Sequence, residues 1–136
     1  MNYQNYHKHS YYTNARISDS VVSYEDYAKK AVFLGQKVLS SVEHGWQGRY
    51  IECYEIAHKY DLKFVFGTET YYVHNRLEKD RTNAHLILLA KNENGRQAIN
   101  DILSEANITG FYFQPRIDEE LLFSLPKDDV WVTSAC

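Results

Sequence analysis

His7 and His9, two histidines separated by a single residue, are the first place where this chain could do chemistry. Side chains along an extended strand alternate between its two sides, so residues two apart point the same way. Two imidazoles on one side can share one metal ion. A lone His-x-His is a weak signal, but other ionisable residues fall at related places. His44, with Glu43 beside it, follows one apolar run, Glu69 follows another and Cys136 a third. In parallel α/β folds the C-terminal ends of strands meet at one face, where active sites are built. Strand ends would then deliver three histidines, Glu69 and Cys136 to one rim, and apolar packing gives no reason for ionisable residues to recur there. Mixed imidazole, carboxylate and thiolate donors suit zinc, iron or manganese better than calcium or magnesium.

The elements that must position these groups alternate between short apolar strands and amphipathic helices. A first strand is expected near residues 2–6, running into His7-Lys8-His9. Ser23, with Asp26 three residues on, caps a helix whose apolar positions are Tyr27, Ala28, Ala31, Val32 and Leu34, and Gly35 ends it. Residues 37–42 read as a buried strand ending at Glu43-His44-Gly45. A second helix covers 49–60, with Ile51, Tyr54, Ala57 and Tyr60 apolar. A strand over 63–66 is expected to break at Gly67, before Thr68-Glu69. The polar stretch 74–83 reads as an exposed loop, and 84–90 (AHLILLA) as the clearest buried strand. A helix over 94–106 carries Ile99, Ile102, Leu103 and Ala106 on one face. Asp118 can cap a short helix through Leu125, and 130–134 reads as a last strand. This alternation predicts an α/β fold with a mainly parallel sheet or barrel of about five strands. Five strands could complete an open sheet, or form part of an unfinished barrel.

Composition fits a soluble globular domain: 44% of the 136 residues are hydrophobic and 24% charged, with no internal repeat, low-complexity tract or linker. No apolar run approaches the ~18 residues of a membrane span, and the first residues lack a signal-peptide pattern, so the expected location is cytoplasmic. Cys53 and Cys136 are too few and too far apart for a disulfide framework or a Cys-x-x-Cys zinc site. A net charge of −3 means that any contact with nucleic acid must come from a local patch or from metal ions. Many of the twelve tyrosines sit among apolar residues, where core or rim packing accounts for them. His58 reads as a solvated helix residue, His74 as a loop residue and Cys53 as a core thiol. Gly45-Trp46-Gln47-Gly48 has neither Walker nor Rossmann spacing, and no serine sits in a GxSxG elbow.

Several separated motifs, taken together, resemble the PHP (polymerase and histidinol phosphatase) family. They are His7-Lys8-His9-Ser10, Val42-Glu43-His44-Gly45, Gly67-Thr68-Glu69 and the stretch Ala84-His85-Leu86-Ile87-Leu88-Leu89-Ala90. The segment His85–Ala106 with its LLAKNENG core, Phe111–Asp118 with its Pro115-Arg116 pair, and the Thr133-Ser134-Ala135-Cys136 ending resemble the PHP region of bacterial polymerase III alpha subunits in particular.

The resemblance implies a distorted seven-stranded (β/α)7 barrel with up to three divalent transition-metal ions (zinc, manganese or iron) at its mouth. By position, His7 and His9 would bind one ion, Glu69 would bridge two, and His44, His85 and Cys136 would complete the sites. Asp19 is the best match to an acidic ligand after the first strand. The resemblance alone picks out Asp19 and His85, since His85 begins its strand rather than ending it. His7, His9, His44 and Glu69 would form the catalytic set. The implied activity is phosphoester hydrolysis, as a 3′–5′ exonuclease acting on a DNA 3′ end beside polymerase domains of the same chain. The alternatives are a small-molecule phosphatase of histidinol phosphatase type and a non-catalytic module that braces the polymerase. Two departures stand out. Val-Glu-His replaces the Thr-Asp-His of many members, and Cys136 comes before the family's downstream Asp-x-His ligands, so residues 1–136 read as the N-terminal part of the domain.

Overall fold

The computed structural model of the chain describes residues 3–15 and 17–135. Its helices begin where polar side chains can satisfy free N–H groups. Ser23 caps α1 (Tyr24–Phe33) by accepting from Asp26 N, and Asn92 caps α3 (Glu93–Ile108) by accepting from Gly95 N. Asp118 caps α4 (Glu119–Phe123) by accepting from Leu121 N. α2 (Tyr50–Lys59) lies between the first two strands and has no side-chain cap. Ile99, Ile102, Leu103 and Ala106 are buried on α3, as their spacing predicts. On α1 and α2 the buried stripe is narrower than expected. It comprises Tyr24, Ala28 and Ala31 on one and Cys53 and Ala57 on the other, while Val32, Leu34, Ile51 and Tyr54 stay exposed.

The strands are β1 (Val38–His44), β2 (Lys63–Tyr72), β3 (Ala84–Ala90), β4 (Phe111–Tyr112), β5 (Gln114–Ile117) and β6 (Val130–Ser134). They form one sheet in the order β4-β5-β2-β3-β6, with β1 also paired to β2. β2 is parallel to β1 and β5 but antiparallel to β3, and β3 is antiparallel to β6. The α/β alternation is therefore as expected, but the sheet is mixed rather than mainly parallel. β4 and β5 were not anticipated from sequence, because they are short and their hairpin is held by pairing to Tyr71 and Tyr72.

Gly67 does not break β2. The strand runs through it, and the missing side chain is what lets β3 approach: a Cβ there would lie 2.6 Å from the Leu88 carbonyl oxygen. Glu69 consequently lies within a strand rather than beyond one.

The expected strand ahead of His7 is also absent among the described residues: residues 3–10 make no ladder. Side chains fasten this segment to β1 instead. Lys37 N, just ahead of β1, donates to Gln4 Oε1 at 2.6 Å and Ser40 Oγ to the Tyr6 carbonyl at 2.7 Å; just past the segment, His44 N donates to Thr13 Oγ1 at 3.3 Å.

Two apolar clusters form the core. One packs Phe66 and Leu88 of the sheet against Ile99, Ile102 and Leu103 of α3; the other packs Leu39 of β1 against α1 and α2. Loop 74–83 is not wholly exposed. Arg76 is buried against Asp118, and buried Arg116 donates to the carbonyls of Arg76, Glu78, Asp80 and Gly110. Among the described residues no helix is long and apolar enough to cross a membrane.

Candidate metal centre

Strand register brings the candidate residues together. His44 closes β1 directly opposite Glu69 on β2, and Tyr71, two residues further along β2, lies opposite His85. Paired residues, and residues two apart, share a face of the sheet, so His44, Glu69, Tyr71 and His85 all face the same way. Because β3 runs antiparallel to β2, its first residues stand beside the last residues of β2. A histidine at the start of β3 thus reaches the same rim as residues near the ends of β1 and β2. A reading built on parallel strands could not place it.

Glu69 is the hub. His7 Nε2 and His9 Nε2 lie 2.7 and 2.9 Å from Glu69 Oε2, and 3.0 Å from each other. His85 Nδ1 lies 2.5 Å from the other carboxylate oxygen, Oε1. His44 Nδ1 is 3.8 Å from Oε2, and His44 Nε2 is 3.4 Å from Asp19 Oδ2. The His9 and His44 rings stack with centroids 4.1 Å apart. Buried Tyr71 meets His85 edge-on at 5.0 Å.

The electrostatics follow from this crowding. Burial alone would push the Glu69 carboxyl up, but hydrogen bonds to His7 and His9, the charge of His44 and a hydrogen bond to His85 hold it far below the carboxylate range. Burial opposes charge on His9, yet the bond to Glu69 and the charges of Glu69, Glu43 and Asp19 raise its pKa overall. His44 goes the other way: burial and the positive charge of His9 lower it despite Glu69 and Asp19. The outcome is an ionised carboxylate set among four imidazoles.

Three donor groups could each hold an ion: His7, His9 and Glu69; His9, Asp19 and His44; and His44, Glu69 and His85. Within each, the ligand atoms lie within 4.8 Å of one another. Ligand atoms at ~2.0–2.1 Å from one tetrahedral ion stand roughly 3.3 Å apart. The spacings of 2.7 to 3.0 Å among His7, His9 and Glu69 are close to that. Buried His9 Nδ1 and His44 Nδ1 find no hydrogen-bond partner among the described residues. The donor set fits a divalent transition metal. The groups share His9, His44 and Glu69 pairwise, and Glu69 is the one carboxylate common to two of them.

The structure thus gathers His7, His9, Asp19, His44, Glu69 and His85, with Asp19 the most exposed of them. Cys136 lies outside the described residues; the chain leaves β6 with Ala135 N donating to the His85 carbonyl at 3.1 Å. His58 and His74 are exposed and Cys53 is fully buried, as their sequence contexts suggest. The sequence reading missed the work of Glu43. As the neighbour of His44 on a strand it must face the opposite side, and it bonds Ser10 and Tyr24 instead of joining the cluster.

The PHP domain family model matches residues 5–136. The chain belongs to the PHP family. DNA polymerase III subunit alpha of Treponema pallidum is 31% identical over 128 residues, covering 90% of this chain, and that of Helicobacter pylori is 31% identical over 134 residues, covering 96%. The PHP chain described here spans 11% of the length of either relative. Among solved structures, a Bifidobacterium adolescentis protein assigned as a metal-dependent phosphoesterase superposes with a TM-score of 0.51 at 18% identity. That match covers 77% of this chain and 34% of the other, and is a likeness of fold.

Proposed function

We propose that this PHP chain is the metal-dependent phosphoesterase part of a DNA polymerase III alpha-like protein, and that it trims DNA 3′ ends in the cytoplasm during replication. The observation that carries this reading is the meeting of His7, His9, Asp19, His44, His85 and Glu69 at one end of the sheet. His7, His9 and Glu69 would hold one ion, and His44, Glu69 and His85 a second. Asp19 and Cys136 would complete a cluster of up to three ions of zinc, manganese or iron. When bound, such ions supply a nucleophile from water near neutral pH and neutralise charge on phosphoryl oxygens.

The protein's own part is orientation. Glu69 holds its charge at neutral pH and keeps four imidazoles converged, and the backbone pairing of β1, β2 and β3 fixes three of the ligands without side-chain search. Retention of His7, His9, His44, Glu69 and His85, none replaced by an apolar residue, favours catalysis over a merely bracing module. A small phosphate monoester of the histidinol phosphate kind is the alternative substrate for the same centre.

We further propose that residues 1–136 are the N-terminal portion of the domain. β6 is an edge strand whose Trp131 and Val132 are exposed, and the chain spans 34% of the phosphoesterase it resembles in fold. An open apolar edge favours further strands or self-association.

The test measures manganese-dependent nucleotide release from a DNA 3′ end and phosphate release from histidinol phosphate. It compares this chain with one extended by roughly 100 residues, within the usual domain size. DNA trimming by the extended chain, with weak trimming by the short one, is expected. No hydrolysis of either substrate by the extended chain would return the bracing module. Equal activity, equal melting temperature and a monomeric short chain would mean that the domain is already whole.

A further inference from the structure

β1 ends in two neighbours that face opposite sides of the sheet. His44 faces the cluster, whereas Glu43, fully buried, faces α1. The Glu43 carboxylate accepts Ser10 N at 3.1 and 3.2 Å, Ser10 Oγ at 2.5 Å and Tyr24 OH at 2.8 Å. Ser10 is itself fully buried and directly follows His9, whose carbonyl accepts Tyr27 OH at 3.0 Å. The space for this carboxylate is kept open by Gly48. A Cβ there would lie 2.7 Å from Glu43 Cγ and 2.9 Å from Tyr24 OH, and the backbone sits at φ +59°.

This carboxylate matters because residues 3–10 make no strand ladder to β1. Ladder hydrogen bonds hold His44, Glu69 and His85 in register, but His7 and His9 ride on a segment fastened by side chains. Three attachments touch or flank them: Ser40 to the Tyr6 carbonyl, Tyr27 to the His9 carbonyl and Glu43 to Ser10. Only Glu43 takes both the N–H and the O–H of one residue, which fixes the position and the orientation of the chain at Ser10.

We propose that Glu43 is the positioning residue for His7 and His9: it sets the place of the half of the metal centre that no ladder holds, from the same strand end that carries His44. The proposal rests on the reading of the cluster as a metal centre. Glu43 touches neither ion nor substrate and acts only through Ser10. Loss of an outer partner that orients metal ligands typically weakens metal binding by roughly 10- to 100-fold.

The experiment compares the wild-type chain with Glu43→Gln, Ser10→Ala and Tyr24→Phe. Manganese is titrated calorimetrically into chelator-stripped protein, and His9 ring signals and Ser10 amide exchange are followed by NMR without metal. Glu43→Gln and Ser10→Ala should weaken manganese binding by roughly 10- to 100-fold, move the His9 ring signals and speed Ser10 exchange. Tyr24→Phe removes a donor from the same carboxylate but leaves its grip on Ser10. It should lower the melting temperature while leaving manganese affinity near the wild-type value. Wild-type affinity in Ser10→Ala, or an equal loss in Tyr24→Phe, overturns the proposal. If the wild type takes up no manganese, the metal reading fails by itself, and the NMR arm still decides: unmoved His9 signals in Ser10→Ala sink the positioning role. Should Glu43→Gln not fold, Ser10→Ala carries the test.

Discussion

His85 Nδ1 lies 2.5 Å from Glu69 Oε1, although the ladder pairs neither residue with the other. His85 stands opposite Tyr71 and Glu69 opposite Ile87, so the contact is a diagonal one across the face shared by β2 and β3. It occupies one oxygen of Glu69 and leaves the other to His7 and His9. Glu69→Gln should therefore empty more of the centre than His85→Ala does. Elemental analysis of the purified proteins is expected to find bound transition metal in the wild type, a reduced amount in His85→Ala and almost none in Glu69→Gln. Equal occupancy in the two variants would show that the carboxylate does not link two sites.

His9→Ala and His58→Ala each remove one imidazole, but in different surroundings. His9 faces Glu69 and stacks on His44, whereas His58 is exposed on α2. Metal occupancy after mild chelation should fall sharply in the first and stay at the wild-type level in the second. Equal losses would place the metal elsewhere.

Arg76 and Asp118 tie loop 74–83 to the start of α4. Arg76 Nη1 lies 2.7 and 2.9 Å from the two Asp118 oxygens, and both side chains are buried. Arg76→Met leaves Asp118 buried without its partner, which costs about 3–5 kcal/mol, read from denaturant unfolding. Burial pushes Asp118 up, but bonds from the Arg76 backbone and side chain and from Leu121 N bring it below its ordinary value of 3.8. Since the folded pKa is the lower one, this stability is present above pH 3.8 and is lost as pH falls through the folded value. Without the Arg76 guanidinium less opposes the burial effect, so the variant should begin to lose stability at a higher pH than the wild type.

Lys8 is buried between the two histidines of the His-x-His pair, and burial lowers its pKa to about 8 from 10.5. The unfolded chain binds this proton more tightly, so wild-type stability should rise with pH between about 8 and 10.5. At pH 7 the buried ammonium costs about 3 kcal/mol. Lys8→Met should raise the melting temperature at pH 7, with the advantage shrinking as pH climbs towards 10.5. A constant advantage across that range would mean that packing, not charge, is responsible.

Much of this protein is set locally and can be read from the chain alone. The caps Ser23 and Asp118, the apolar face of α3 and the strands at 84–90 and 130–134 depend on residues a few positions apart, so their periodicity and hydrogen-bonding groups reveal them. The His-x-His pair and the histidine and glutamate of β1 and β2 are visible for the same reason. Other features depend on partners distant in sequence. Gly67 looks like a break until β3 is laid against it, and Phe111–Ile117 becomes a hairpin only beside β2. Residues 2–6 look like a strand, yet residues 3–10 are held at β1 by side-chain hydrogen bonds, from Lys37 N to Gln4 and from Ser40 to the Tyr6 carbonyl, without a ladder. Strand direction decides the site itself: only the antiparallel return of β3 brings the first residues of that strand, His85 included, to the end where His44 and Glu69 meet. Sequence period says which side of a strand a residue faces; which end of the neighbouring strand it meets is fixed by long-range pairing, and that belongs to the tertiary structure.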